Sequence, residues 1–261
     1  MTLISHRAGF IFLKTHKTAS TSIEVALEGL CAPEGALTGQ HYRPMAISED
    51  GIIGARGRAS AGALWRNHMS ARAIRRGIGR QIWNRYARIT TVRNPYDRMV
   101  SMFHSRMSPE ERSGISEISF DDVRARFRLF LGTAGPSNNM NKLLLGTRYV
   151  IDHILYFEHI AEDFAELAEA LGMTDPTLPR LKSDRRTRPE PPCDYYDADT
   201  KRMVERSAAF ELAFFGYRFG SGPNPPAPGA RAHALLRRAP LYAGNMFAAP
   251  QKRLTSSPFG P

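Results

Sequence analysis

The chain has 261 residues and a formal net charge of +11, from 36 Lys and Arg against 25 Asp and Glu. At 42% hydrophobic and 23% charged it has the balance of a globular protein with enough length for a buried core, which excludes a wholly disordered chain. No apolar run approaches the ~18–20 residues of a membrane-spanning helix; the N-terminal apolar stretch is short and broken by Lys14, unlike a secretory signal; and Cys31 and Cys193 are too few for a disulfide framework or a thiolate metal cage.

In chain order, Gly9–Thr15 is a compact apolar run that predicts a buried strand. Thr21–Leu30 follows as a helix with Ile23, Ala26, Leu27 and Leu30 on one face. Cys31–Leu64 is punctuated by Gly and Pro without clear periodicity, so it is expected to be a functional or mobile insertion. Short helices are predicted at Ser70–Gly77 and Arg80–Tyr86, a second strand at Ala87–Val92, and helices at Tyr96–Met107 and Phe120–Leu131. A third strand at Val150–Tyr156 leads to an amphipathic helix over Ile160–Leu171, and a last helix covers Asp199–Phe215. Strands separated by helices predict an α/β domain over residues 1–219, with a central parallel sheet flanked by helices. Phe214–Phe219 is expected to be core packing that finishes that domain.

From Gly220 the composition changes. Residues 220–261 hold eight of the 18 prolines, five bases and no Asp or Glu. That density of Pro and Gly opposes helix and sheet and predicts a basic, disordered tail, compatible only with a short helix around Ala230–Arg238. The excess positive charge predicts an anionic partner, and a chain with few cysteines and no signal predicts a cytoplasmic location.

Two segments carry chemistry. In the first, Phe10 to Glu24, an apolar strand runs through His16-Lys17-Thr18-Ala19-Ser20-Thr21-Ser22 directly into a helix. A helix N-terminus leaves N–H groups without partners and carries roughly half a positive charge. Hydroxyls add donors and Lys17 adds a cation, which together make an anion cradle; the structural alternative is a capped helix with a solvated lysine. No glycine lies between Phe10 and Gly29, so this is not a Walker A loop. In the second, Thr91 to Ser101, Asn94 is a natural N-cap, Pro95 suits the first helical position and Asp97 the first turn. Arg93 is left at a strand's carboxyl end, where open α/β sheets bind ligands, with Ser101 in the following helix. The structural alternative is an Arg93–Asp97 ion pair.

Together the two segments resemble the signatures of the PAPS-dependent sulfotransferases (PAPS, 3′-phosphoadenosine 5′-phosphosulfate), in the branch similar to carbohydrate sulfotransferases. His16 to Ser22 resembles the family's 5′-phosphosulfate loop, with His16 in place of Pro and Ala19-Ser20 in place of two glycines. Val92 to Ser101 resembles its 3′-phosphate segment almost unchanged. The resemblance extends through His153–Met173, Leu178–Ser183 and Asp194–Phe219 and covers most of residues 9–219.

The resemblance implies a P-loop NTPase-like sulfotransferase fold and transfer of a sulfuryl group from PAPS to an acceptor hydroxyl, of a carbohydrate or glycolipid, leaving 3′,5′-ADP. It implies Lys17 at the departing phosphate and Thr18, Ala19, Ser20, Thr21 and Ser22 around the 5′-phosphosulfate. It further implies Arg93 and Ser101 at the 3′-phosphate, and Lys182, Ser183 and Arg186 as further donor contacts. No metal is expected, because Lys, Arg and helix dipoles neutralise the donor and no His/Asp/Glu ligand cluster stands out. The reaction needs a base near the acceptor hydroxyl. His68 is the first candidate, with His16, Glu24 and His41 behind it. Glu158 reads as structural, and Tyr195-Tyr196 as core. Cys31–Leu64 and residues 105–145 are expected to shape the acceptor site. Two other readings stay open at this point: phosphoryl transfer, disfavoured by the missing Walker A loop, and a basic nucleic-acid binder, which no motif supports.

Overall fold

The computed structural model describes residues 2–36, 43–175, 177–179, 181 and 188–220. Lys182, Ser183, Arg186, His41 and residues 221–261, with the helix expected at Ala230–Arg238, lie outside the described residues.

Among the described residues, eight strands and ten α-helices run in chain order: β1 (Leu3–Ser5), β2 (Phe10–Leu13), α1 (Ser20–Leu27), β3 (Ala46–Ile47), β4 (Gly51–Ile53), α2 (Ala71–Ile78), α3 (Arg80–Arg85) and β5 (Ala87–Val92). Then come α4 (Pro95–Arg106), α5 (Pro109–Gly114), α6 (Phe120–Ala134), α7 (Met140–Leu143), β6 (Leu144–Leu145), β7 (Arg148–Tyr149), β8 (His153–Tyr156), α8 (Ile160–Ala170), α9 (Ala198–Ser207) and α10 (Ala209–Phe215). The six-stranded sheet has the order β3-β4-β1-β2-β5-β8. Only β2, β5 and β8 are mutually parallel; β1 pairs antiparallel with both β2 and β4, and β3 with β4.

The expected parallel sheet is therefore corrected to a mixed one, and Cys31–Leu64 is corrected from an insertion to a contributor of two strands. Gly51 shows why such a strand lacks an apolar pattern. A Cβ there would lie 2.2 Å from the Ile4 carbonyl, so only glycine permits the close pairing of β4 with β1. β1 was not expected at all, because three residues carry too little periodicity to read.

Alternation along β2 explains the layers. Phe10 and Phe12 face a core with Ile23 and Leu27 of α1 and Phe164 and Leu167 of α8. Ile11 and Leu13 face the opposite core with Trp65, Ile74 of α2, Trp83 of α3 and Phe215 of α10. Helices thus cover both faces, as an apolar-on-both-sides strand requires. A third cluster joins α4, α6 and α9 through Met99, Phe103, Phe127 and Val204, and takes in Tyr195 and Tyr196 as expected. The last predicted helix is broken at Ala208, and Phe214 is 48% exposed rather than core, while Phe215 and Tyr217 are buried.

The parallel strands decide where ligands go. The carboxyl ends of β2, β5 and β8 lie at one edge, so the residue 14–19 loop, Arg93-Asn94 and Phe157-Glu158 sit side by side there.

Candidate active site

The residue 14–19 loop is held from below. The Thr15, Thr18 and Thr91 hydroxyls form a buried triangle, with Thr18 Oγ1 2.6 Å from Thr91 Oγ1 and 2.7 Å from Thr15 Oγ1. Thr15 Oγ1 also lies 2.6 Å from the Thr91 carbonyl, and Ser20 Oγ donates to the Thr15 carbonyl at 2.8 Å. Ser22 Oγ accepts from the Leu181 N–H at 3.3 Å. These contacts refine the expected hydroxyl cradle. Thr18 and Ser20 spend their hydroxyls on the fold, so what they offer a ligand at the start of α1 is backbone N–H; Ser22, whose N–H donates to the Ala19 carbonyl at 2.9 Å, offers its hydroxyl proton instead. Thr21 likewise keeps a donor: its oxygen accepts from Lys14 Nζ at 3.2 Å, which leaves its own proton to donate.

The start of α1 suits an anion. Its N-cap, Ala19, supplies no side-chain hydrogen bond, and the first turn holds no acidic residue. The first N–H groups of a helix lack intrahelical acceptors. Ala19 (φ 56°, ψ 11°) and Lys17 (φ 58°) adopt left-handed backbone although neither is glycine. The loop keeps the conformation a glycine would give, at a cost of about 1–2 kcal/mol per residue. Ala19→Gly is accordingly expected to stabilise the protein by about 0.5–1 kcal/mol after the added unfolded-state entropy. Thermal unfolding reads this as a rise of a few degrees at most, and an unchanged or lower Tm would contradict the strain.

Arg93 joins the two segments. Its Nε and Nη2 each lie 2.7 Å from Asp97 Oδ2, and its Nη1 donates to the Lys17 carbonyl at 3.2 Å. The guanidinium sits 3.8 Å from the Phe157 ring centre. The expected ion pair is present and at the same time aims the fork: a guanidinium has five N–H groups, and two are left for a ligand. Ser101 is half-buried one helical turn past Asp97, on the same side of α4. Beneath them Glu158 Oε1 accepts from the Asn94 N–H at 2.8 Å and Glu158 Oε2 from the Tyr217 hydroxyl at 3.0 Å, so Glu158 fixes the turn, as its structural reading requires.

Two histidines flank the loop. The His16 and His68 rings stack with centres 3.8 Å apart. His68 Nδ1 lies 3.3 Å from the Lys14 carbonyl. A carbonyl only accepts, so Nδ1 carries the proton and Nε2 keeps a bare lone pair. Burial, then His16 and Lys14, push the His68 pKa down to about 2. Burial, then Lys142 and Arg98, push His16 down to about 4. Both rings are neutral and lie in strongly positive surroundings.

Glu24 serves Lys14 at the buried side of α1. It is fully buried, with Oε2 2.6 Å from Lys14 Nζ and 3.5 Å from Arg56 Nη2. Lys14, Asn139 and Lys142 are site residues that sequence reasoning missed. Asn139 Oδ1 accepts from the His16 N–H at 3.1 Å, and its own N–H donates to Glu211 Oε1 at 3.3 Å. Glu211 is in turn held by buried Arg98 through two hydrogen bonds of 2.6 and 2.7 Å. Lys142 is buried beside them, and burial, then Arg98, lower its pKa to about 8. A lysine at the end of an apolar strand run, and another in the apolar Met140–Leu145 stretch, were the available signals.

Buried neutral imidazoles also make stability depend on pH. His153 on β8 has its pKa lowered from 6.5 to about 4 by burial. The unfolded chain therefore takes the proton first as pH falls, and the stability present above pH 6.5 is lost progressively toward pH 4. Between pH 7 and pH 5 this group alone is expected to cost about 2 kcal/mol. Urea denaturation at the two pH values checks it, and a midpoint that does not fall at pH 5 would contradict the buried neutral state.

Among the described residues no helix is long and apolar enough to cross a membrane, and no group of His, Cys, Asp and Glu is placed to hold a metal ion. A family model described as the sulfotransferase family matches residues 1–141, which span both ligand segments. Searches of curated proteins and of solved structures returned no match.

Proposed function

The chain belongs to the sulfotransferase family, and from that premise we propose that it moves the sulfuryl group of PAPS to a hydroxyl of a carbohydrate or glycolipid acceptor. The observation that carries this reading is the joining of the two anion segments at one sheet edge, with Arg93 Nη1 3.2 Å from the Lys17 carbonyl. One segment offers a helix N-terminus with Lys17, the other an arginine fork with Ser101. Two anionic groups of a single nucleotide fit such a pair, as in a P-loop-like cradle.

PAPS supplies an activated sulfuryl group with a good leaving phosphate. Sulfuryl transfer parallels phosphoryl transfer, so the protein contributes positioning and electrostatics more than covalent chemistry. In this reading the N–H groups of Thr18 to Thr21 and the Thr21 and Ser22 hydroxyls hold the 5′-phosphosulfate. Lys17 stabilises charge on the departing phosphate. Arg93 and Ser101 hold the 3′-phosphate and so select this donor over ATP. Lys14, Arg98 and Lys142 add positive potential from below. His68 accepts the acceptor's proton at Nε2, and the donor's negative charge raises its basicity toward the useful range. His16 stacks on that ring and keeps it in place.

A labelled-PAPS transfer screen across neutral and acidic carbohydrates, glycolipids and small hydroxylated metabolites tests the reading. Transfer to at least one class that is lost in Lys17→Ala is the expected result. Transfer that is unchanged in His68→Ala would remove the base assignment while leaving the donor site standing, and no transfer to any class would count against the reading.

A further inference from the structure

Both anion segments are held from behind by one short stretch of chain. Glu211 lies in α10, and Gly216, at φ 71°, lets the chain leave that helix and run on through Tyr217, Arg218 and Phe219.

At the second segment, two adjacent residues lie against two adjacent residues. Phe157 stacks on the Arg93 guanidinium, and the next residue, Glu158, accepts from the N–H of Asn94, the residue after Arg93. Tyr217 donates to the other Glu158 oxygen at 3.0 Å. The Asn94 side-chain amide donates to the Arg218 carbonyl at 3.0 Å, and the Phe219 ring meets Tyr96 edge-on at 4.9 Å. Asn94 and Tyr217 are buried, so these bonds set the turn without competition from solvent.

At the first segment, Glu211 Oε1 accepts from the Asn139 N–H at 3.3 Å, and Asn139 Oδ1 accepts from the N–H of His16, the residue before Lys17. Arg98 holds both Glu211 oxygens and also donates to the Ser137 carbonyl at 2.8 Å, which fixes the approach to Asn139. The family match to residues 1–141 covers the groups that face the nucleotide and not Glu158, Glu211 or Tyr217 behind them.

We propose that this C-terminal stretch is the positioning device of the donor site. Tyr217, through Glu158 and Asn94, sets Arg93 for the 3′-phosphate; Glu211, through Asn139, sets the His16–Lys17 corner for the 5′-phosphosulfate. Neither Tyr217 nor Glu211 touches the nucleotide in this arrangement. The inference rests on the donor reading above. Two-point recognition of a phosphate by a guanidinium depends on angle as well as distance, so a small rotation of the Asn94 turn weakens 3′-phosphate binding and leaves the 5′ cradle as it is. Release of the His16 N–H acts on the 5′ cradle alone.

Tyr217→Phe and Asn139→Ala cut one link each. Glu211 itself is kept, since removing it strands the buried Arg98 charge. The full chain and each variant are titrated with 3′,5′-ADP, with adenosine 5′-phosphosulfate, which lacks the 3′-phosphate, and with 3′-AMP, which lacks the 5′ group. Tyr217→Phe is expected to weaken 3′,5′-ADP and 3′-AMP by about tenfold and to leave adenosine 5′-phosphosulfate within about twofold. Asn139→Ala should do the opposite, weakening 3′,5′-ADP and adenosine 5′-phosphosulfate by about tenfold with 3′-AMP within about twofold. Glu158→Gln is the conservative control: its carbonyl still accepts from Asn94 and its amide donates to the Tyr217 oxygen, so 3′,5′-ADP affinity stays within about threefold. In the Arg93→Gln background, adding Tyr217→Phe should cost less than about twofold, because the group it positions is gone. Equal losses for all three nucleotides in either variant overturn the proposal, as does Tyr217→Phe with 3′,5′-ADP affinity within about twofold of the parent. A parent that binds none of the three overturns the donor reading as well, which distinguishes that failure from uniform losses against a binding parent.

Discussion

Lys17→Ala is expected to lower kcat for sulfuryl transfer by about 10²–10³-fold, the usual loss when one preorganised donor to a developing charge is removed. The loss should fall mainly on kcat. Lys17 stabilises charge that develops as the phosphate departs, while the ground-state donor keeps the N–H groups of α1, the Thr21 hydroxyl and Arg93. The backbone at Lys17 is left-handed, at φ 58°, and alanine tolerates that conformation as poorly as lysine does. The folded loop should therefore survive, held by the Thr15–Thr18–Thr91 triangle beneath it. Steady-state kinetics checks the split between kcat and KM, and a fall confined to KM would place Lys17 in ground-state binding only.

Arg93→Gln is expected to weaken 3′,5′-ADP binding by about 100-fold. Two charge-assisted hydrogen bonds to a phosphate are each worth about 1.5–3 kcal/mol, part of which the neutral amide recovers. A second effect acts in the same direction. Arg93 neutralises Asp97 through two 2.7 Å contacts, and glutamine leaves that carboxylate facing the ligand. Arg93→Gln/Asp97→Asn should therefore regain a measurable part of the lost affinity, which a purely structural role of Arg93 would not produce. Calorimetry of the two variants reads the difference, and an Arg93→Gln affinity within threefold of the parent would exclude Arg93 from the donor site.

How legible the molecule was differs by element. Ala87–Val92 was readable to the residue, because five apolar or β-branched positions out of six are bounded by a Tyr86 turn and an Asn94 cap. The helix after it was readable from Asn94, Pro95 and Asp97 alone. β1 and β4 were not, since strands of three residues stabilised by pairing and by a close approach at Gly51 leave almost no local pattern. Missing them turned a mixed sheet into a parallel one on paper. At the site, the strand–loop–helix order announced an anion cradle, yet the hydroxyls of Thr18 and Ser20 turned out to serve the fold. The role of Thr18 depends on Thr91, more than seventy residues away, and that of Ser20 on the Thr15 carbonyl, whose own side chain Thr91 holds. The same holds for Asn139, Lys142 and the His16–His68 stack, which exist only through contacts across the chain. The carboxylate partner of Lys14 was equally hidden, because nothing local distinguishes Glu24 serving Lys14 from Glu24 serving Lys17.

The central claim is that the paired anion segments take a nucleotide phosphorylated at both the 3′ and 5′ positions. Isothermal titration of the protein with 3′,5′-ADP and with ATP, both without Mg²⁺, tests it most directly. The account predicts tighter binding of 3′,5′-ADP by at least tenfold, since Arg93 and Ser101 meet a 3′-phosphate that ATP lacks. ATP binding as tight or tighter would contradict it and would favour phosphoryl transfer at the same sheet edge.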